Sequence, residues 1–262
     1  MNKKKILTLA LTLSMVAILA IGGTIAYFTD AEQVTNTMTI GDVQINIEEL
    51  MKNPDFEEGG EEDKYIEFDS DDLTLYPISN TKGINLYNKM VSVFNTSKVH
   101  EAYIRTIVLF ELNEDVSACS DDCLNGIHFA YTDGDYTTTI DGKVYQGRGT
   151  TNYKLDEAVT VNNKKYQVVV FTDKQGRAIA KDESQDSLAS VWLDENVTDE
   201  QAAAWAGDLD VIVFAQGIQA DNLTHEEAME ALGVVNESNL NKWLGTDDAI
   251  INDVYVATNE NP

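Results

Sequence analysis

The side chains in this sequence most able to do chemistry are three histidines, His100, His128 and His225, and two cysteines, Cys119 and Cys123. A zinc-peptidase helix needs two imidazoles on one face, as in His-Glu-x-x-His, and no such pair occurs here. His225-Glu226-Glu227 reads as the start of a helix and His100-Glu101 as a turn. No Gly-x-Ser-x-Gly elbow presents a serine, and Cys119 lies in a polar, acidic loop that raises a thiol pKa rather than lowering it. On the residues alone the chain is read as a non-enzyme, with no catalytic, cofactor-binding or metal-ligating residue assigned.

The cysteines sit in Ala118-Cys119-Ser120-Asp121-Asp122-Cys123. Three readings are open for them: a local disulfide, two free thiols, or part of a metal site that would need two further ligands. Export from the cytosol favours the disulfide Cys119–Cys123, which closes so short a loop that it trims the fold rather than frames it. The acidic groups Asp69-Ser70-Asp71-Asp72, Ser120-Asp121-Asp122 and Asp133-Gly134-Asp135 offer oxygens to calcium, yet none has the spacing of a calcium loop with its closing glutamate. A solvated acidic face and, at Asp133-Gly134-Asp135, a turn explain them, so no cofactor is assigned, with calcium as the alternative.

Lys3, Lys4 and Lys5 precede an apolar run from Ile6 to Ile21, which Gly22-Gly23 breaks before Thr24-Ile25-Ala26. This is the form of an export signal, with small residues where a signal peptidase reads and cleavage between Ala26 and Tyr27. A membrane anchor is the alternative, since about 20 apolar residues span a bilayer. Without the three leader lysines the 18 basic residues fall to 15 against 45 acidic ones, a net charge of −30. Such a surface repels phosphate backbones and anionic lipid, and no nucleic-acid motif is present.

Gly22-Gly23-Thr24-Ile25-Ala26-Tyr27-Phe28-Thr29-Asp30, Asn36 and Ile40-Gly41-Asp42-Val43-Gln44-Ile45-Asn46-Ile47-Glu48 resemble the leader and first strand of the TasA/camelysin family. The resemblance implies a secreted protein released by a specialised signal peptidase of the SipW type, with no stable membrane anchor after cleavage. It also implies fibre formation in biofilm matrix, with self-association or other matrix proteins as partners. The camelysin name adds a metallopeptidase, which the scattered histidines do not support.

These residues must be carried by strands. From Thr35 to Glu48 the chain alternates, with Val43, Ile45 and Ile47 on one face, and Gly41 marks a bulge or bend. Residues 53–72 are acidic and read as an exposed insertion. Further strands are expected around Leu73–Pro77, Lys89–Asn95, Glu101–Leu112, Ile127–Thr132, Tyr136–Ile140, Lys143–Gln146, Ala158–Val161, Tyr166–Phe171 and Leu209–Ala220, with a last short one at Asp253–Ala257. Asp141-Gly142 and Asn162-Asn163 mark hairpins. Thr198 with Gln201, and Thr224 with Glu227, have capping-box form and predict two helices. Arg105, in the most apolar strand, is expected to face outward from the sheet.

The expected architecture is all-β, an antiparallel two-sheet sandwich of jelly-roll or Ig-like type, with two short helices in connections. Residues 1–26 form the signal peptide and 27–262 one secreted β-sandwich domain. The expected function is an extracellular structural one, a matrix or cell-surface fibre subunit. In it the segment holding Val34, Met38, Ile40, Val43, Ile45 and Ile47 either folds back as an ordinary first strand or adds to the next subunit. The alternative is a monomeric binding module for a cation, a glycan or a surface.

Overall fold

A computed structural model describes residues 26–27, 36–40, 43–57, 64–68, 74–75, 77–113, 123–140, 143–198, 200–201 and 209–244, with side chains from Val43 onward except at 74, 138–140 and 143–145. The strands in chain order are β1 (Ala26–Tyr27), β2 (Asn36–Ile40), β3 (Ile45–Lys52), β4 (Tyr65–Glu67), β5 (Thr74–Leu75), β6 (Pro77–Ile78), β7 (Met90–Asn95) and β8 (Ala102–Glu111). They continue as β9 (Ile127–Tyr131), β10 (Tyr136–Ile140), β11 (Lys143–Lys154), β12 (Val159–Val161), β13 (Lys164–Asp173), β14 (Glu183–Asp186), β15 (Leu188–Asp194) and β16 (Val211–Gln219). The helices are α1 (Asn80–Gly83), α2 (His225–Ala231) and α3 (Glu237–Leu244).

The all-β expectation holds. One large sheet runs β2-β16-β8-β13-β11-β14-β7-β3-β4, with β10 on β11 and β12 on β13, beside a small sheet β6-β15-β9 and the pair β1-β5. The large sheet doubles over at β11, whose residues 150–154 pair with β13 while residues 146–149 pair with β14. Gly149 permits that corner, because a Cβ there would lie 2.4 Å from the backbone of Gly134. The sheets are mixed rather than antiparallel throughout: β16 with β2, β11 with β14 and β15 with β6 run parallel.

Burial explains why Glu101–Leu112 reads as a continuous apolar run. Ile104, Val108 and Phe110 of β8 face a main core shared with Val91, Val93, Val169, Phe171, Val191 and Leu193. Ile107 and Leu109 face a second core with Val168, Val170, Phe214, Leu240 and Leu244. Both faces are dry, so period-two alternation disappears. Each fully buried aliphatic or aromatic side chain contributes about 1.5–3 kcal/mol of hydrophobic stabilisation.

The strands flanking both expected turns pair as hairpins; Asp141-Gly142 itself lies outside the described residues. Ile140 pairs with Lys143 around Asp141-Gly142, and Val161 pairs with Lys164 around Asn162-Asn163, whose φ values of 48° and 65° suit the primed turns of hairpins. At Thr224 the capping box with Glu227 is complete and α2 follows it. At Thr198 the reciprocal bonds to Gln201 are also made, at 3.0 and 3.2 Å, and residues 202–208 lie outside the described residues. Helix α3 is not anticipated by the sequence reading; Asn236 caps it through Asn239 N–H, and Leu240 and Leu244 bury its inner face.

The stretch Thr35–Glu48 is two strands. β2 is the edge strand on β16, whereas β3 lies between β7 and β4. The acidic stretch 53–72 is not wholly an exposed loop either. Tyr65–Glu67 forms β4, and buried Phe68 lies 3.8 Å from Lys89 Nζ, which is itself buried and paired with Glu49 at 2.8 Å. The leader through residue 25, Val34 and the expected strand at Asp253–Ala257 lie outside the described residues. Among the described residues no helix is long and apolar enough to cross a membrane.

Candidate functional site

The turn Leu124-Asn125-Gly126-Ile127 builds the one place where ligand-type side chains converge among the described residues. Leu124 and Ile127 exchange backbone hydrogen bonds at 2.7 and 3.2 Å. Asn125 and Gly126 between them have φ values of 52° and 91°, a geometry that Asn-Gly adopts readily. The turn sets Cys123 against the start of β9, and Gly126 N–H donates to Cys123 Sγ at 3.0 Å.

β9 then pairs antiparallel with β15, placing His128 opposite Trp192. Their rings stack at 5.4 Å and 15°. Asp194, two residues beyond Trp192 and so on the same face, reaches His128 diagonally, and its Oδ2 lies 2.7 Å from His128 Nε2. The other oxygen, Oδ1, accepts from Asn196 N–H at 2.9 Å and Asn196 Nδ2 at 2.8 Å. His128 is 3% exposed and Asp194 1%. Gly83 of α1 closes over Trp192, with no room for a Cβ, which would stand 2.1 Å from the indole. The ligand atoms of Cys123, His128 and Asp194 all lie within 4.8 Å of one another.

The other histidines are elsewhere. His100 Nδ1 meets Asp221 at 3.0 Å on the surface. His225 opens α2, packed edge-on to Tyr103 at 5.7 Å and against Gly176. The three histidines thus lie at separate places, and the approach of His128 to Cys123 was not among the sequence expectations. The Asn125-Gly126 pair was the available signal, since it folds Cys123-Leu124 back on Ile127-His128. Cys123 is disulfide-bonded; Cys119 lies outside the described residues.

Asp133-Gly134-Asp135 is a turn whose carboxylates are engaged by cations. Arg177 donates to both oxygens of Asp135 at 2.7 and 2.9 Å, Arg148 approaches it at 3.5 Å, and Lys174 reaches Asp133 at 3.4 Å. The hydrogen bonds from Arg177 hold the Asp135 carboxyl below the usual carboxylate range. Arg148 also grips Glu183 at 2.6 Å, and that bond raises its own pKa. The acidic groups at 69–72 and 120–122 lie outside the described residues.

Arg105 corrects the expectation of exposure. It points away from the main core, as an odd-numbered neighbour of Ile107 must, but α2 and α3 cover that face and leave it 3% exposed. Its partners are carbonyls rather than a carboxylate: Leu232 O at 3.0 Å and Gly233 O at 2.8 Å, with Gln216 Oε1 at 2.8 Å from Nε and also bonded to Nη2. The guanidinium lies 5.5 Å from the Trp243 ring. Burial pushes its pKa down to about 10. A cation at the C-terminal end of α2 complements the helix dipole and pins the helix to the sheet.

Of the expected assembly residues, Met38 and Ile40 fall in β2, Val43 follows it, and Ile45 and Ile47 are buried in β3. Ala26 and Tyr27 form β1, paired with Leu75 and Thr74.

A catalytic zinc needs three protein ligands around an open fourth position. Cys123, His128 and Asp194 do not fit that role: the sulfur is in a disulfide, and the imidazole and carboxylate are buried against each other. No curated protein and no solved structure matches the chain. The family model described as camelysin metallo-endopeptidase matches residues 2–55, so the leader and the first strands are similar to that family, and the similarity falls on the same stretch as the sequence motif.

Proposed function

We propose that the chain is an extracellular structural protein, a matrix or cell-surface fibre subunit, whose exchangeable element is β2. The observation that carries this reading is the position of β2 at the end of the sheet, where its ladder is a parallel one to β16 over Phe214–Ile218. Parallel pairs are slightly weaker per residue than antiparallel ones. Displacing β2 would free the edge of β16 for the same segment of another copy, which supplies backbone hydrogen bonds to it. Such a head-to-tail contact does not close and so propagates. The family match over residues 2–55 supports the export route, release by a signal peptidase next to Tyr27 and a location outside the cell.

The exchange segment ends before Val43, because Ile45 and Ile47 belong to a strand paired on both sides. The net charge of −30 opposes subunit approach, so assembly should strengthen with salt or divalent cations. The test is a chain beginning at Asp42, followed by size-exclusion chromatography and electron microscopy. It should stay monomeric while keeping β-rich circular dichroism, whereas a chain beginning at Tyr27 forms fibres. Equal polymerisation of the two removes β2 from the mechanism. A longer chain that stays monomeric at every concentration and salt level favours the binding module instead.

A further inference from the structure

We propose that reduction of the disulfide at Cys123 converts this corner into a zinc site whose three protein donors are Cys123 Sγ, His128 Nε2 and Asp194 Oδ2. Thiolate, imidazole and carboxylate are a borderline-soft donor set that suits zinc and not calcium or magnesium. Zinc bonds of about 2.0–2.3 Å in a tetrahedron set donor atoms roughly 3.3–3.8 Å apart. The present donors, all within 4.8 Å, need only a small closure on the sulfur side, with a small opening of the 2.7 Å contact between His128 and Asp194.

The charges balance in a buried place. One thiolate and one carboxylate cancel the dication, and His128 contributes a neutral nitrogen, so no net charge is left at residues that are 3% and 1% exposed. Supporting groups are already aimed. Gly126 N–H points at the sulfur and favours its thiolate, and Asn196 holds Oδ1 of Asp194 from two directions so that Oδ2 is presented inward.

In the oxidised protein the sulfur carries no charge and is a poor ligand, so the disulfide and the metal exclude each other. The conversion uses an external low-molecular-weight thiol. Two of its molecules give two electrons and two protons to the protein disulfide and leave as their own disulfide, generating thiols at Cys123 and at the chain's other cysteine, Cys119. Zinc then displaces the proton of the Cys123 thiol to solvent. The proton between His128 and Asp194 moves to Nδ1 or also leaves to solvent.

Cobalt(II) titration of the purified protein, followed by zinc competition, tests this. The oxidised protein should show no thiolate-to-cobalt charge-transfer band. The reduced protein should show one equivalent of it, bleached by one equivalent of zinc. Cys119→Ser, which leaves Cys123 as a thiol, should bind without any reductant, and Cys123→Ser should not bind under either condition. Asn196→Ala keeps all three donors and should weaken binding by about tenfold or more. Circular dichroism of each variant separates loss of ligand from loss of fold. Absence of the band in folded, reduced protein and in folded Cys119→Ser overturns the site, as does its persistence in Cys123→Ser.

Discussion

Arg105 and Arg177 use the same fork of donors in opposite surroundings. Arg177 grips two carboxylates, Asp135 and Asp173, at a rim where its own side chain is 29% exposed and that of Asp135 39%. Arg105 holds the two carbonyls just past the end of α2 and one amide, in a largely buried layer beneath α2 and α3. Formal charge pairing is richer at the rim, yet solvent screens it and side-chain entropy offsets it. Under the helices no charge partner is needed, but Leu232 O and Gln216 Oε1, both buried, and the half-buried Gly233 O would lose their donor without it. Burial, more than the number of ion pairs, sets what each arginine contributes.

The sharpest way to break this contrast is Arg105→Ala. It should cost about 3 kcal/mol in urea unfolding, because Leu232 O, Gly233 O and Gln216 lose their donors together. Amide exchange in α2 and α3 should accelerate before that in β8. Lysine at this position should recover little, since it lacks the planar fork. A loss as small as that at the rim would mean that the helices are held by their apolar contacts alone.

Asp186 tests whether burial acts regardless of sign. It is 3% exposed, and desolvation pushes its carboxyl up against the hydrogen bonds from Tyr136, Ser92 and Ser184 that pull it down. A raised acid binds its proton more tightly in the folded state. Its stabilising contribution is therefore complete below the unfolded pKa of about 3.9 and is lost as pH rises through the folded value. Asp186→Asn should accordingly raise the melting temperature at neutral pH and confer no gain at about pH 3. Equal effects at both pH values would place the carboxyl in a better solvated site than its burial implies.

At the rim, Arg177→Ala should cost at most about 1 kcal/mol, shrinking further in high salt. Asp173, though buried, keeps the backbone N–H groups of Gln175 and residue 177, each at 2.8 Å. The smallest effect belongs to Asp135→Asn. Its depressed carboxyl contributes stability above the unfolded pKa of about 3.9 that is lost as pH falls through the folded value, so the wild type alone should show that acid limb. Screening limits it to a few tenths of a kcal/mol. A rim effect that is large and insensitive to salt would contradict the comparison.

Local chemistry made much of the fold legible. The alternation of Val43, Ile45 and Ile47, the Asn-Asn hairpin, the pairing of β10 with β11 and the two capping boxes each depend on residues within a few positions of one another, and each is formed. The strand character of Thr35–Glu48 was legible in its alternation, with Gly41 read as a bulge or bend in one strand; that residue lies outside the described residues. The division into β2 and β3 was not legible, because pairing partners are chosen far away in sequence: β2 found β16 and β3 found β7. Helix α3 escaped notice for a related reason, since Leu240 and Leu244 alone give a short apolar signal whose meaning comes from the second core that they complete.

By itself the sequence determined a lysine-led apolar first stretch, the similarity of residues 2–55 to the camelysin model, the acidic charge and the strand-rich character, all properties of composition and near-neighbour spacing. Only the tertiary structure decided which buried polar groups meet. Arg105 became interior because helices more than a hundred residues later fold over its face, a cover that no local pattern could announce. Cys123, His128 and Asp194 converged because the Asn125-Gly126 turn and the β9–β15 register act together. A side chain's chemistry depends on its dielectric surroundings and on ligands a few ångströms away, and strand pairing sets both without regard to distance along the chain.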